Sequence, residues 1–366
     1  MNKLASIQIL RAAAALSVVL FHAGQWSHLD FAVGACGVDL FFVISGFVLW
    51  SACEARPVTP SAFLLARARR ILPLYWIVTL AVAAAALLAP AALPIVLPEG
   101  RHLVLSLLLV PHADPAGGPF PLLPTGWTLT YEAFFYLVMA LALAAPKDRR
   151  LQLLSGLLLA AALMGFAYHR WYTLLANPLL LEFLAGVGLA RLWGQGRLAR
   201  WPRALGPGLI AAGIAILAAC QLSGLRDDFL RPFVWGPPAV LIVAGALKLQ
   251  ADGRIGSGRL ARGLAALGDG SYSLYLVQAP AIAVFAWLTP AWPAALRAPL
   301  SIVLAVGLGW AVYRLVERPL GSALGGLRFR SVARSLHHLP AAHGRGGRGL
   351  GPAEQEALAA VDADLA

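Results

Sequence analysis

The sequence is poor in charged residues and in cysteine. Asp, Glu, Lys and Arg make up 13% of its 366 residues, where soluble domains have about a quarter. This composition excludes a pair of ordinary soluble domains, which the length alone would permit. The three cysteines, Cys36, Cys53 and Cys220, are widely spaced, and no paired spacing indicates a zinc site or a disulfide framework. We therefore expect packing cysteines and no metal.

Hydrophobic residues are abundant instead, at 60% of the chain. Apolar runs near 20 residues recur throughout, and each can cross ~30 Å of hydrocarbon as a helix. The sequence therefore predicts an all-α, polytopic transmembrane bundle of about ten spans. They cover 7–24, 37–53, 71–89, 127–145, 151–168, 172–190, 205–223, 233–248, 268–289 and 297–316. A cleaved signal peptide at 7–24 is disfavoured, because Arg11 and His22 interrupt that run.

Two kinds of segment lie outside these spans. The stretch 101–111 is too short to span and is predicted to be interfacial or re-entrant, and 112–126 is a Pro/Gly-rich loop on the same side. The tail 321–366, rich in Gly, Ala and Arg, is predicted to be a loose cytosolic extension. The expected organisation is thus a membrane domain over 1–320 followed by this tail.

The positive charge is distributed unevenly between the two sets of loops. The net charge of +12 would suggest nucleic acid in a soluble protein, but here the position of the charges matters more. Of 29 Lys and Arg residues, 23 fall in one alternating set of loops, five in the other, and Arg11 lies within the first span. The positive-inside rule then predicts that both termini face the cytoplasm, with no role in nucleic-acid binding.

The first span carries two ionisable residues, Arg11 and His22. Eleven residues of helix correspond to a rise of ~16.5 Å and leave both side chains within ~20° of one face. Such groups inside a span are costly unless they face a cavity or a partner. An arginine that reaches the surface and an interfacial histidine are the structural alternative, which their shared face disfavours.

Two carboxylates are predicted near the level of His22, on the outer side. Asp39 starts the second span and Glu132 lies about one and a half turns into the fourth. A carboxylate near a histidine fixes its tautomer and raises its basicity, as a general base requires. Asp39 has a structural alternative as a helix-start residue. Ser45 and Tyr275 are further polar candidates, although such groups more often bond to a neighbouring helix.

Three arginines, Arg67, Arg69 and Arg70, precede the third predicted span near the level of Arg11. They are either topology signals or, together with Arg11, ligands for phosphate. The geometry suits a donor whose anionic head stays at the inner surface while a thin arm reaches ~15–20 Å along the first helix. A phosphopantetheine thioester has that shape.

Several segments together resemble the acyltransferase-3 family of integral membrane acyltransferases, particularly stand-alone members linked to exopolysaccharide acetylation. The resemblance covers about residues 1–320, and its motifs stand in the family's order. They are IQILRAAAALSVVLFHA, GVDLFFVISGF, RARRILPLYW, GWTLTYEAFFY, LGDGSYSLYL and VERPL.

The resemblance implies acyl-CoA, usually acetyl-CoA, as the donor and a hydroxyl of a sugar, exopolysaccharide unit or glycolipid as the acceptor, in a bacterial inner membrane. It also implies that Arg11 and His22 are the essential pair, that the arginines opening the third span hold the coenzyme, and that Glu132 matches the family's glutamate. One position departs from the pattern: relatives often have His where this chain has Gln278. A proton-transfer role at that position is therefore not expected.

The predicted reaction is acyl transfer, with two routes open. His22 acts as general base on the acceptor hydroxyl, oriented by Asp39 or Glu132, or it carries the acyl group transiently. The main alternative is a proton-coupled glycan transporter or flippase that uses His22, Asp39 and Glu132 as a relay. Paired broken helices in two related halves, common in transporters, are not evident. An assembly subunit without chemistry would leave the shared face of Arg11 and His22 unexplained.

Overall fold

The computed structural model describes residues 4–27, 30–93, 99–168, 177–225, 231–256 and 258–324, and within these ranges it contains helices and no strand. The α-helices are α1 (Ala5–Ser27), α2 (Gly37–Ala55), α3 (Pro60–Leu88), α4 (Gly100–Leu107), α5 (Trp127–Ala144), α6 (Arg150–Tyr168), α7 (Leu180–Gly194), α8 (Leu205–Ser223), α9 (Arg231–Val234), α10 (Gly236–Ala251), α11 (Arg259–Asp269), α12 (Ser271–Leu288) and α13 (Ala294–Val312). The predicted all-α fold is confirmed.

Seven helices among the described residues are long and apolar enough to cross a membrane. They are the helical stretches Ala5–Ser27, Ala32–Ala55, Pro60–Leu88, Pro124–Ala144, Leu205–Ser223, Ser271–Leu288 and Ala294–Leu324. Two shorter apolar helices, Arg150–Gly165 and Gly236–Ala251, match further predicted spans. The predicted span 172–190 lies partly outside the described residues. The chain is a multi-pass membrane protein, and the count of ten stays a prediction, as does the placement of the termini.

The third helix begins earlier than its hydropathy predicts. α3 starts at Pro60, where the Thr59 side chain accepts a hydrogen bond from the backbone N–H of Ala62 (3.3 Å) and caps the first turn. A proline at the first helical position favours this start. The predicted boundary at 71 was wrong because three arginines within the first eleven residues of α3 interrupt its apolar pattern. Arg67, Arg69 and Arg70 therefore lie within a continuous helix.

The helices α2 and α7 cross at two glycines. A Cβ added to Gly46 would lie 2.1 Å from the carbonyl oxygen of Phe183, and one added to Gly186 would lie 2.1 Å from that of Val43. Small residues at a crossing let two backbones approach closely, as is common between membrane helices. This contact fixes which face of α2 turns toward α7.

The predicted span 268–289 corresponds to α12, which starts at Ser271 after Gly270. It is preceded by α11, a short amphipathic helix that ends at Asp269. The predicted stretch 101–111 forms α4, which at eight residues is indeed too short to span. The last predicted span, 297–316, is longer at both ends, since α13 starts at Ala294 and passes through a π-helix at Tyr313–Glu317.

The helix α4 is anchored to α3 and carries one half of a histidine pair. Tyr75 donates to the carbonyl oxygen of Ser106 (2.8 Å), and the Trp76 indole donates to that of Leu107 (2.8 Å). Nδ1 of buried His102 lies 2.8 Å from Nε2 of His112 in the following loop. Burial, followed by the neighbouring His112, lowers the pKa of His102.

Candidate active site

The helices α1 and α12 run parallel and meet at two polar contacts. The Arg11 Nε donates to the Ser271 hydroxyl (3.2 Å), and the Gln278 amide lies 3.0 Å from Nδ1 of His22. Ser271 and Gln278 are fully buried, whereas Arg11 and His22 are partly exposed. Thus α12 provides a hydrogen-bonding partner for each of the two predicted residues, Arg11 and His22. We refer below to the Arg11 end and the His22 end of the bundle.

The imidazole of His22 is fixed through one nitrogen. Its Nδ1 lies 3.0 Å from the carbonyl oxygen of Val18, one turn earlier in α1, as well as beside Gln278. A protonated Nδ1 donates to Val18, and the Gln278 amide can turn its own oxygen toward the same proton. Nε2 then carries a lone pair. Such a ring is oriented as a base or nucleophile toward whatever meets Nε2.

At the Arg11 end, two arginines share one buried carboxylate. Arg70 forms an ion pair with Glu317, whose other oxygen accepts from the Ser273 hydroxyl. The charges that act most strongly on Arg11 are Arg70, which repels it, and Glu317, which attracts it. We call Arg11, Arg70, Glu317, Ser271 and Ser273 the Arg70 cluster. Asp269 and Glu132 also attract Arg11, and the exposed side of Arg70 keeps N–H donors that suit a bound anion.

The three arginines of α3 do not act as one group. Arg67 and Arg70 are three residues apart and share a face of α3, while Arg69 lies ~100° from Arg70 around the helix. All three are partly exposed. The Arg70 guanidinium also lies 5.8 Å from the Tyr272 ring centre, and Arg67 acts electrostatically on Tyr136 of α5. The structure therefore brings Arg70 to Arg11, leaves Arg67 one turn earlier near Tyr136, and places Arg69 further round α3.

Glu132 contacts α2 rather than His22. It accepts a hydrogen bond from the Ser45 hydroxyl (2.6 Å) and acts electrostatically on Arg11. Ser45 and Glu132 are both partly exposed within the bundle. Tyr275 bonds to the Thr128 hydroxyl (2.9 Å) and donates to the carbonyl oxygen of Thr125 (3.2 Å). Among the described contacts, Gln278 and Val18, not a carboxylate, orient the imidazole.

Asp39 lies on a different face of α2 from the one that meets α1. A Cβ on Gly37 would lie 2.3 Å from the Ala14 carbonyl oxygen, so Gly37 faces α1. Two residues further, Asp39 is turned by ~200° toward α7. It also lies nearer the Arg11 end than expected, because Gly37 packs against Ala14, about two turns of α1 before His22. The structure thus corrects the predicted level and neighbourhood of Asp39.

Asp39 is bound by Arg231. Nη2 of Arg231 lies 2.7 Å from Oδ2 of Asp39 and donates to the carbonyl oxygen of Ala35 (2.7 Å), and its Nε reaches both carboxylate oxygens. Glu182 lies against Asp39, with which it interacts directly, and its oxygens accept no hydrogen bond from another described residue. We call Asp39, Arg231 and Glu182 the Arg231 cluster. It is buried behind α2, with the guanidinium near the rings of Trp127 and Trp235.

Sequence reasoning missed five residues of these clusters. Ser271 and Ser273 belong to the SYSLYL motif, and Glu317 to VERPL, so the motifs were visible but their contacts were not. Arg231 was counted as a loop charge, although it is 9% exposed. Glu182 was a carboxylate inside a predicted span, and that was a signal in itself.

The comparisons with known proteins bear on this geometry. A family model described as the acyltransferase domain of the acyltransferase-3 family matches residues 4–314. The exopolysaccharide production protein ExoZ of Rhizobium meliloti (strain 1021) is 40% identical over 313 residues, which cover 82% of this chain and 94% of that protein. The putative membrane-bound transacylase BcsY of Komagataeibacter xylinus is 31% identical over 341 residues, which cover 87% and 83%.

A more distant relative is nodulation protein 10 of Rhizobium leguminosarum bv. viciae, 26% identical over 90% of this chain and 96% of that protein. No solved structure matches the chain. The family match spans the helices that carry Arg11, His22, Arg70, Glu132 and Gln278, and most of the chain lies within it. The chain is a member of the acyltransferase-3 family.

Proposed function

We propose that this protein moves an acyl group, most simply acetyl, from cytosolic acyl-CoA to a hydroxyl of a sugar, an exopolysaccharide unit or a glycolipid. The observation that carries the proposal is the double contact of α12 with α1. Ser271 contacts Arg11, and Gln278 contacts His22. A cationic group and a basic ring therefore both lie at the interface of α1 with α12, about 16 Å apart along α1. A phosphopantetheine arm fits that separation.

The orientation follows from the distribution of charge. With the Arg-rich loops in the cytoplasm, the Arg11 end faces the cytosol, where acyl-CoA is available, and the His22 end faces outward. The relatives are bacterial proteins, which supports the cytoplasmic membrane of a bacterium as the location. The relative named for exopolysaccharide production supports an extracytoplasmic glycan as the acceptor.

The donor would be held by its phosphates at the Arg70 cluster. Arg11 and Arg70 both interact with Glu317 and keep N–H groups that can donate to phosphate oxygens. Arg67 and Arg69 would extend this basic surface along α3. Binding there would direct the thioester along α1 toward His22.

The transfer itself would use Nε2 of His22. In the direct route, Nε2 takes the proton of the acceptor hydroxyl, whose oxygen attacks the thioester carbonyl carbon. The C–S bond then breaks, and the leaving thiolate takes the proton from His22. In the two-step route, Nε2 attacks the thioester carbonyl carbon, the C–S bond breaks and coenzyme A leaves as the thiolate. The acceptor oxygen then attacks the acyl carbon, the C–N bond to the ring breaks, and the hydroxyl proton goes to the thiolate. Glu132 would contribute negative charge near the arm, and Asp39 would act only by fixing α2.

The test is a transfer assay with full-length protein in vesicles, radiolabelled acetyl-CoA and a glycolipid acceptor. The expected loss is ~10²–10⁴-fold in turnover for His22→Ala, with weaker donor binding in Arg11→Ala. Gln25→Ala, an exposed change on the same helix, serves as the matched control. Acid-labile label on the wild type that disappears in His22→Ala would favour the two-step route. If neither acetyl-CoA nor a longer acyl-CoA is bound or consumed, the proposal fails and transport of a glycan becomes the leading function.

A further inference from the structure

Glu317 lies where three helices meet at the Arg11 end. Its carboxylate bonds through one oxygen to Arg70 of α3 and through the other to Ser273 of α12. The residue itself lies beyond α13 and is 5% exposed. A buried carboxylate is stable only when it is paired and hydrogen-bonded, and both oxygens of Glu317 meet that condition.

The backbone at Glu317 is irregular. Residues Tyr313–Glu317 form a π-helix between α13 and the helical residues that follow. A π-turn inserts a residue into a helix, rotates the residues after it and often occurs at functional sites. Here the irregular turn ends at the residue that contacts Arg70 and Ser273.

The exposure of the ion pair is asymmetric. The Arg70 side chain is 25% exposed, whereas that of Glu317 is 4% exposed. The carboxylate thus holds the guanidinium from the inner side, and the accessible side of Arg70 keeps its remaining N–H donors. Glu317 also attracts Arg11 and so offsets the repulsion between the two arginines.

We propose that Glu317 is a positioning residue for the acyl donor, which fixes Arg70 and holds it near Arg11 so that both guanidinium groups face one phosphate group. This assignment rests on the proposed function. Glu317 itself repels an anion, so its contribution is the geometry of the arginines and not a contact with the donor. A merely structural ion pair would join α3 to α13 equally well with its charges exchanged.

The first experiment measures binding of free coenzyme A to the purified full-length protein, with KM for acetyl-CoA and thermal unfolding alongside. Glu317→Gln keeps the shape and a hydrogen bond but loses the charge. We expect the Kd for coenzyme A to rise about tenfold, with KM rising in parallel and kcat changing less. Glu54→Gln, the same change at an exposed position at the end of α2, should leave all three unchanged.

The second experiment exchanges the charges in the double variant Arg70→Glu, Glu317→Arg. Compared with the single variants, we expect the double variant to recover thermal stability but still to bind coenzyme A weakly, because position 70 then presents a carboxylate to the phosphate. Recovery of both stability and binding would overturn the proposal and make the ion pair purely structural. If Glu317→Gln does not fold, Ser273→Ala removes only the second hydrogen bond, and unchanged coenzyme binding in that variant would overturn the proposal.

The two proposals fail differently. A wild-type protein that binds no coenzyme A overturns the proposed function, and the role of Glu317 is overturned with it. A wild type that binds normally, beside a folded Glu317→Gln variant with the same affinity, overturns only the positioning role.

Discussion

The Arg70 cluster and the Arg231 cluster contain the same types of charged side chain but differ in exposure. In the first, Arg11 and Arg70 both interact with Glu317, Asp269 and Glu132 also attract Arg11, and Arg70 is partly exposed. In the second, two carboxylates lie beside one arginine, and the group is buried. A buried ion pair needs complete internal compensation, whereas a partly exposed arginine can also bind a ligand from solvent. This difference in exposure is what we expect between the proposed donor site and a structural cluster.

Arg231→Met gives the largest expected effect and tests the structural half of this comparison. It leaves Asp39 buried beside Glu182 without a counter-ion, which costs ~3–5 kcal/mol of stability. We expect poor expression and a strongly lowered unfolding temperature in detergent. Arg254→Met, an exposed change just after the end of α10, is the control. An Arg231→Met variant as stable as wild type would show that the cluster does not hold the fold together.

Arg11→Gln tests the other half. The amide can still reach Ser271, so the fold should persist, but the charge offered to a phosphate is lost. We expect donor affinity to fall by about 1.5–3 kcal/mol, seen as a higher KM for acetyl-CoA with a nearly unchanged unfolding temperature. Loss of stability without loss of donor affinity would show that the Arg70 cluster, like the Arg231 cluster, has a structural role.

The two carboxylates of the Arg231 cluster should respond unequally to amide substitution. Asp39→Asn weakens a hydrogen-bonded ion pair and should cost about 1.5–3 kcal/mol. The hydrogen bonds of Arg231 go to Asp39 and not to Glu182 among the described contacts, and a glutamine can still donate to Asp39, so Glu182→Gln should change stability by less than ~1 kcal/mol. Thermal unfolding of the two variants in parallel decides this. Equal losses would mean that Arg231 holds both carboxylates.

The sequence predicted the helical bundle and the Arg11–His22 pair, because hydropathy and the 3.6-residue period can be read from one segment of the chain alone. It could not predict which helix supplies the partners of that pair. Ser271 and Gln278 meet Arg11 and His22 across some 260 residues of chain. Helix–helix register of this kind depends on close contacts such as Gly46 with Phe183, which composition does not reveal.

The level of Asp39 shows the same limit at short range. The sequence placed it beside His22 because a hydropathy window takes the first apolar residue as the membrane surface. Gly37 packs against Ala14, about two turns of α1 before His22, and the facing of Gly37 toward α1 turns Asp39 away. One glycine contact thus decides whether this carboxylate meets the histidine or the arginine.

The pair His102 and His112 extends the comparison to a site in which two histidine rings face each other. Burial and the facing His112 lower the pKa of His102, while Asp114 and Glu99 oppose the shift. The folded state therefore binds protons less well than the unfolded state, so stability is present above about pH 6.5 and falls as the pH drops through the lowered pKa. We expect the unfolding temperature to fall between pH 7.5 and 5, by less than in the variants above. His102→Gln should flatten this dependence, and an unchanged slope would assign it to other groups.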